Sequence, residues 1–306
     1  MRIDIAAQTD VGRKKRNNED CYGVFREDFP GLRLFDQGAM MCVADGLGGH
    51  TGGEIASKLA VSIVRDALKQ SCPEPVAPEP APTPLPVLLD WIKKANTSIF
   101  QTNNDLVKVG RPMGTTLLVA VAVPQKAHVA NVGDSRCYHI RDGGIIAKTE
   151  DHSWVDEQVK AGFMTKSEAE SDARRNFVTR CIGTHEAVEV DAYTWDTLPG
   201  DMLLLCSDGL VNMVKDSEIA AEFKKGGRPA DIASRLVNLA NDNGGKDNIT
   251  VIVALLEPSL FTWVRSRFLK MWERRGTHIA WMIFAILFGA ACFGLGYLVG
   301  GNRLHF

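Results

Sequence analysis

Three acids in this chain stand where apolar strands end or begin. Residues 40–44 (Met-Met-Cys-Val-Ala) run into Asp45-Gly46, residues 202–206 run through Ser207 into Asp208-Gly209, and Asp247 precedes the apolar stretch 249–253. An apolar run closed by Asp-Gly reads as a buried strand ending in a tight turn, with the carboxylate at its exit. If those ends converge, Asp45, Asp208 and Asp247 make an all-oxygen cage for a hard cation, Mg2+ or Mn2+. Such an ion keeps several waters and leaves room for phosphate oxygens. Taken singly, each acid is more often a plain turn residue. Two near-copies of one strand-Asp-Gly pattern reduce those odds without reversing them.

A second cluster lies near the start, where Arg13, Lys14, Lys15 and Arg16 run through two asparagines into Glu19 and Asp20. Its ordinary reading is a solvated turn. The sharper one has a base of the cluster gripping a substrate phosphate while Glu19 and Asp20 hold water beside the metal. The glycines of 46–53 do not make a dinucleotide loop, because Thr51 stands where the fingerprint needs its third glycine. There is no Cys-x5-Arg for a thiolate phosphatase and no Asp-x-Asp for an aspartyl-phosphate one.

In order along the chain come Lys15-x-x-Asn18-Glu19-Asp20, Val-Ala-Asp-Gly-Leu-Gly-Gly-His at 43–50, Gly-Thr-Thr at 114–116 and Asn-Val-Gly-Asp-Ser-Arg at 131–136. Asp-His-Ser at 151–153, Leu-Cys-Ser-Asp-Gly-Leu at 205–210 and Gly-Lys-Asp-Asn-Ile-Thr at 245–250 complete the set. This ordered set resembles the bacterial branch of the type 2C metal-dependent serine/threonine protein phosphatases, over residues 1–256. The resemblance implies an α/β fold, a four-layer α-β-β-α sandwich of two mainly antiparallel sheets flanked by helices. It implies Mn2+ or Mg2+ as cofactor: Asp45 bridging two ions, the Gly46 carbonyl on one, Asp208 and Asp247 on the other. Asp134, with Asp208, would serve a third, weaker position.

On the same resemblance, a metal-activated water attacks phosphorus in line, with no covalent enzyme intermediate. His50 is either a surface residue or the general acid that protonates the leaving serine or threonine oxygen, the two readings standing about even. Residues 162–183 correspond to a flap beside the site, and Arg180 is structural. Lys15 departs from the family, which carries a phosphate-gripping arginine there. Lysine binds as a point charge without the guanidinium fork, which leaves Arg13 and Arg16 beside it as further phosphate candidates. Implied partners are phosphorylated proteins and a cognate bacterial serine/threonine kinase. The alternative is a catalytically weak, membrane-tethered pseudophosphatase that binds phosphoproteins, with Lys15 its only support.

These groups need elements to carry them. Residues 3–7 alternate as a strand, 52–69 and 87–103 show helical apolar spacing, and 114–123, 126–132 and 137–141 read as strands, the last turning at 142–144. Residues 154–162 read as a helix capped by Asp151 or Ser153, and His152 is given no catalytic role. Proline at nearly every second position of 71–86 predicts an extended surface insertion. The seven cysteines show no CxxC pair and read as reduced structural thiols. From residue 257 onward six basic and two acidic side chains give +4, which leaves 29 − 35 = −6 for the rest, an acidic part that argues against nucleic acid.

Residues 279–299 carry no charged side chain. At roughly 1.5 Å per residue such a helix spans the roughly 30 Å hydrocarbon layer, so one C-terminal transmembrane helix is expected. Arg265, Arg267, Lys270, Arg274 and Arg275 precede it and Arg303 follows. That bias keeps the catalytic part cytoplasmic, with a bacterial inner membrane the expected location. Residues 257–278 read as a basic amphipathic segment at the membrane surface and 300–306 as a short tail. Small-residue pairs four apart, such as Ala285 and Gly289, suggest homodimer packing of the span.

Overall fold

The computed structural model describes residues 2–26, 38–47, 51–70, 84–106 and 112–257. The chain divides into two units, Met1–Glu257 and Pro258–Phe306, and the first is the one described. The expected juxtamembrane segment beyond 257, the span at 279–299 and the tail lie outside the described residues. Among the described residues no helix is long and apolar enough to cross a membrane.

In chain order come β1 (Arg2–Asp10), β2 (Asp20–Phe25), β3 (Ala39–Leu47), α1 (Thr51–Gln70), α2 (Pro84–Leu106), β4 (Gly114–Thr115), β5 (Leu117–Val123), β6 (Lys126–Val132), β7 (Arg136–Arg141) and β8 (Gly144–Lys148). Then follow α3 (Trp154–Lys160), α4 (Lys166–Ser171), β9 (Asp191–Asp196), β10 (Met202–Cys206), α5 (Asp208–Val211), α6 (Asp216–Lys224), α7 (Pro229–Asp242) and β11 (Ile249–Glu257). One sheet runs β1-β11-β10-β7-β8 and the other β2-β3-β5-β6-β9, with β4 on β3. Every pairing of named strands is antiparallel.

The apolar run before Asp45 is continuous because β3 is buried on both faces. Met40, Cys42 and Ala44 pack against α1 and α2, while Met41 and Val43 meet Leu203, Leu205 and Ile252 of the other sheet. The far side of that sheet packs Leu204, Cys206, Val251 and Val253 against the helices α5 to α7. A strand covered on both sides has no polar face to alternate with. The expected layering, two antiparallel sheets with helices outside, is the one found.

Three details differ from the sequence reading. Residues 114–123 are not one strand: the ladder breaks at Thr116, whose N–H turns to the Asp45 carbonyl at 2.9 Å. The extended insertion expected through 86 ends earlier, because Pro84 and Pro86 sit in the first turn of α2, where a missing N–H costs nothing. Strands β2, β8 and β9 were not anticipated.

Candidate active site

Asp45 leaves β3 tied down from three directions. Its N–H donates to Thr116 Oγ1 at 2.9 Å, and its carbonyl accepts the Thr116 N–H at 2.9 Å and the Thr115 hydroxyl at 2.8 Å. Thr116 in turn bonds Ser135 Oγ at 2.8 Å, next to Asp134. Across the β2–β3 ladder Asp20 is the register partner of Asp45. Ser207, the residue before Asp208, donates its hydroxyl to Asp20 Oδ2 at 2.7 Å. Gly46 is pressed so closely into the fold that a Cβ there would stand 2.3 Å from the Gly53 carbonyl oxygen.

Both sheets therefore deliver acids to one place. Glu19, Asp20 and Asp134 are buried, and Asp45, Asp208 and Asp247 are part-exposed, so solvent reaches the cluster on the side of these three. Burial and the charges of Asp208 and Asp247 push the Asp20 carboxyl up to about 7, against the hydroxyls of Thr250 and Ser207 that pull it down. Burial, then Asp247, lifts Asp208 to about 6, with the Asp45 side chain within hydrogen-bonding reach. Asp45 is raised well above the ordinary carboxylate range by burial, then by Asp20, Asp208, Asp134 and Asp247; burial and Asp208 do the same for Asp134.

As they stand, no three acid, histidine or cysteine side chains among the described residues are gathered closely enough to hold an ion. The donor set nevertheless fits a hard divalent cation. It is all oxygen, its carboxylates raise one another, and two buried atoms, Asp20 Oδ1 and Asp208 Oδ1, have no hydrogen-bond donor.

This crowding has a pH signature. Asp20 and Asp208 hold their protons more tightly in the folded chain, at about 7 and about 6, than an ordinary aspartate does at 3.8. The stability they contribute is complete below about pH 4 and lost as pH rises through 6 and 7. In chelator, the melting temperature is expected to fall between pH 5 and pH 8, and Mn2+ at pH 8 to restore it, as differential scanning fluorimetry will show. A rise over that window in chelator would contradict the crowding.

Beside the acids lies the basic loop between β1 and β2. Lys15 Nζ stands 2.6 Å from Asp247 Oδ1. Burial works against its charge, but the hydrogen bond to Asp247 and the charges of Asp247, Glu19 and Asp45 raise it above the ordinary lysine value. Arg13 and Arg16 are exposed on the same loop, and the Arg13 N–H donates to the Gly245 carbonyl at 2.7 Å. Of the sequence-derived candidates, Asp20, Asp134, Asp208 and Asp247 all act on Asp45 through their charges, and Asp247, Glu19 and Asp45 act on Lys15. His50 lies outside the described residues.

Of the two proposed caps, Ser153 is the one that caps α3, accepting the Asp156 N–H at 3.2 Å. Asp151 instead forms a forked pair with Arg136, at 2.7 Å from Nε and 2.6 Å from Nη2. His152 is fully buried, its Nδ1 accepting the Gly133 N–H at 3.0 Å, a structural place. Arg180 pairs with Asp191 at 3.0 Å. The sequence reading gave no individual role to Thr116, Ser207 and Asn248, although each stands in one of the quoted motifs. For Ser207 and Asn248 the available signal was their position beside Asp208 and Asp247 at a strand end; for Thr116 it was the break it makes between two strands.

Residues 18–250 match the family profile described as Protein phosphatase 2C. The serine/threonine phosphatase stp of Listeria monocytogenes is 35% identical over 252 residues, covering 80% of this chain and 93% of that protein. The crystal structure of the serine/threonine phosphatase Stp1 from Staphylococcus aureus aligns with TM-score 0.74 at 32% identity, covering 84% of this chain and 96% of that one. The catalytic domain of the serine/threonine protein phosphatase PstP, solved in complex with two manganese ions, aligns with TM-score 0.68 at 30% identity, covering 84% and 99%.

Proposed function

The chain belongs to the protein phosphatase 2C family, and from that premise we propose that it hydrolyses phosphoserine and phosphothreonine in proteins with Mn2+ or Mg2+, at the cytoplasmic face of a membrane and against a bacterial serine/threonine kinase. The observation that carries the reaction is the meeting of acids from both sheets with a basic loop whose Lys15 reaches Asp247. Asp45, the Gly46 carbonyl, Asp208 and Asp247 would hold two ions, with Glu19 and Asp20 around them and Asp134 at a third place. When bound, such ions lower the pKa of water and neutralise phosphate charge.

The chain's own groups do the rest. Lys15, with Arg13 and Arg16 beside it, supplies positive charge for the phosphate oxygens at the rim. The ties of Thr115 and Thr116 fix the Asp45 backbone, and the Ser207 hydroxyl holds the Asp20 carboxylate, so the fold itself sets where these two acids stand. His50 is the proposed donor of the proton to the leaving oxygen. Membrane location is supported by the uncharged stretch 279–299 and the basic residues before it.

The test is phosphate release from a phosphothreonine peptide by the whole chain in detergent, with Mn2+ or with chelator. Metal-dependent release is expected; none from folded protein under any divalent ion would leave only a phosphoprotein-binding module. Lys15→Gln is expected to raise KM for the peptide about tenfold, with kcat changed less. Lys15→Arg should retain activity, and near-silence in both the lysine and arginine forms would favour the binding module. Carbonate-resistant recovery of the chain in the bacterial membrane fraction, lost on deleting 279–299, tests the anchor.

A further inference from the structure

Asn248 is buried, and its side-chain amide is committed to the basic loop and its exit. Its Oδ1 accepts the Glu19 N–H at 2.8 Å, and its Nδ2 donates to the carbonyls of Val11 and Asn17, both at 2.9 Å. Val11 and Asn17 are the two shoulders between which Arg13 to Arg16 are displayed, and Glu19 is the residue that leads into Asp20. A single planar amide thus closes the loop at its base and ties its exit to the acid strand. The Asn248 backbone N–H donates to Asp247 Oδ1 at 2.9 Å, so the residue whose side chain shapes the loop also orients, through its main chain, the acid that Lys15 faces. No other polar side chain of similar size serves: a carboxylate keeps the acceptor but loses both donors, leaving two carbonyls facing negative charge.

We propose that Asn248 is a positioning residue for phosphate, setting the loop so that Lys15 meets the substrate beside Asp247. It acts through the loop rather than on the substrate, and it rests on the reading of that loop as the phosphate grip.

The experiment uses the whole chain at saturating Mn2+, with inorganic phosphate as competitive probe and a phosphothreonine peptide as substrate. Asn248→Asp is expected to raise both the Ki for phosphate and KM about tenfold while kcat changes less than about threefold. A residue that only holds the fold would lower the melting temperature and leave Ki and KM unchanged in the folded fraction. The decisive arm is the cycle with Lys15→Gln. In that background Asn248→Asp should raise Ki no more than about twofold, because the group it positions is gone. Should Asn248→Asp not fold, Asn248→Ser is read by the same two constants. An unchanged Ki in a folded Asn248 variant, or effects that multiply in full in the double variant, would overturn the proposal. An unchanged Ki in Lys15→Gln alone would overturn the phosphate-grip reading beneath it.

Discussion

Asp208→Asn is expected to lower Mn2+-dependent phosphate release at least about a hundredfold, a loss of roughly 2.7 kcal/mol in transition-state stabilisation, while making the chain more stable in chelator. The two effects have opposite signs because they come from one cause. Asp208 sits among Asp45, Asp247 and Asp20, buried enough that its carboxyl is lifted to about 6, and its Oδ1 has no donor. Without a cation these charges repel, and the side chains that bring them together do so against that repulsion. Asparagine keeps the shape and an oxygen for the Asn212 amide, which now donates to Asp208 Oδ2 at 3.0 Å. It removes one charge from the cluster and one anionic donor from the ion. A rise of a few degrees in melting temperature in chelator corresponds to on the order of 1 kcal/mol for a chain of this size.

The control is the same substitution at Asp151, whose carboxylate is held by the Arg136 fork with distances of 2.6 to 3.0 Å. There the charge is paired, so Asp151→Asn should lose stability by about 2–4 kcal/mol. Phosphate release and melting curves of both variants, each with Mn2+ and with chelator, decide the matter. A drop in chelator stability for Asp208→Asn like that for Asp151→Asn would mean that the acids are not crowded and that the cluster is not built around a cation.

Much of this was legible because local chemistry and local geometry coincided. Asp45 and Asp208 each follow an apolar run that the fold buries on both faces, and a glycine after each marks the turn. What stayed hidden is sheet register. Nothing in residues 20 and 45 says that they pair across β2 and β3, and β2 itself resists reading because Gly23 interrupts it. That glycine answers a demand made elsewhere, since a Cβ there would lie 2.9 Å from Cys42 Sγ and 2.8 Å from the Phe25 ring. Strand β9 was missed for a related reason. It is an edge strand with charged ends, and only Tyr193 and Trp195 pack toward the core between the sheets. Asn248 was part of a recognised motif, yet its partners at 11, 17 and 19 lie over 200 residues away in the chain, so spacing could not reveal its work.

Gly209→Ala should cost about 3 kcal/mol of stability, at the upper end of overpacking penalties, and should weaken Mn2+ binding about tenfold or more. Gly209 follows Asp208 in the first turn of α5, and a Cβ there would lie 1.9 Å from the Asn248 carbonyl oxygen and 2.8 Å from its carbon. Both contacts are backbone, so no side-chain rotation relieves them. Either the Asp208 turn or the Asp247-Asn248 segment must retreat. Retreat of the first separates two of the acids that would share an ion; retreat of the second also disturbs the amide that closes the basic loop. The glycine is needed here for close approach, with its backbone outside the left-handed region. Gly144→Ala supplies the comparison, because its nearest contact is the Arg141 carbonyl oxygen at an ordinary 3.5 Å and its effect should stay within about 0.5 kcal/mol. Denaturant melts in chelator and Mn2+ titrations followed by electron paramagnetic resonance separate the two consequences. If Gly209→Ala lost stability but bound Mn2+ like the parent, the distance between the Asp208 and Asp247 turns would not be what sets the ion's affinity.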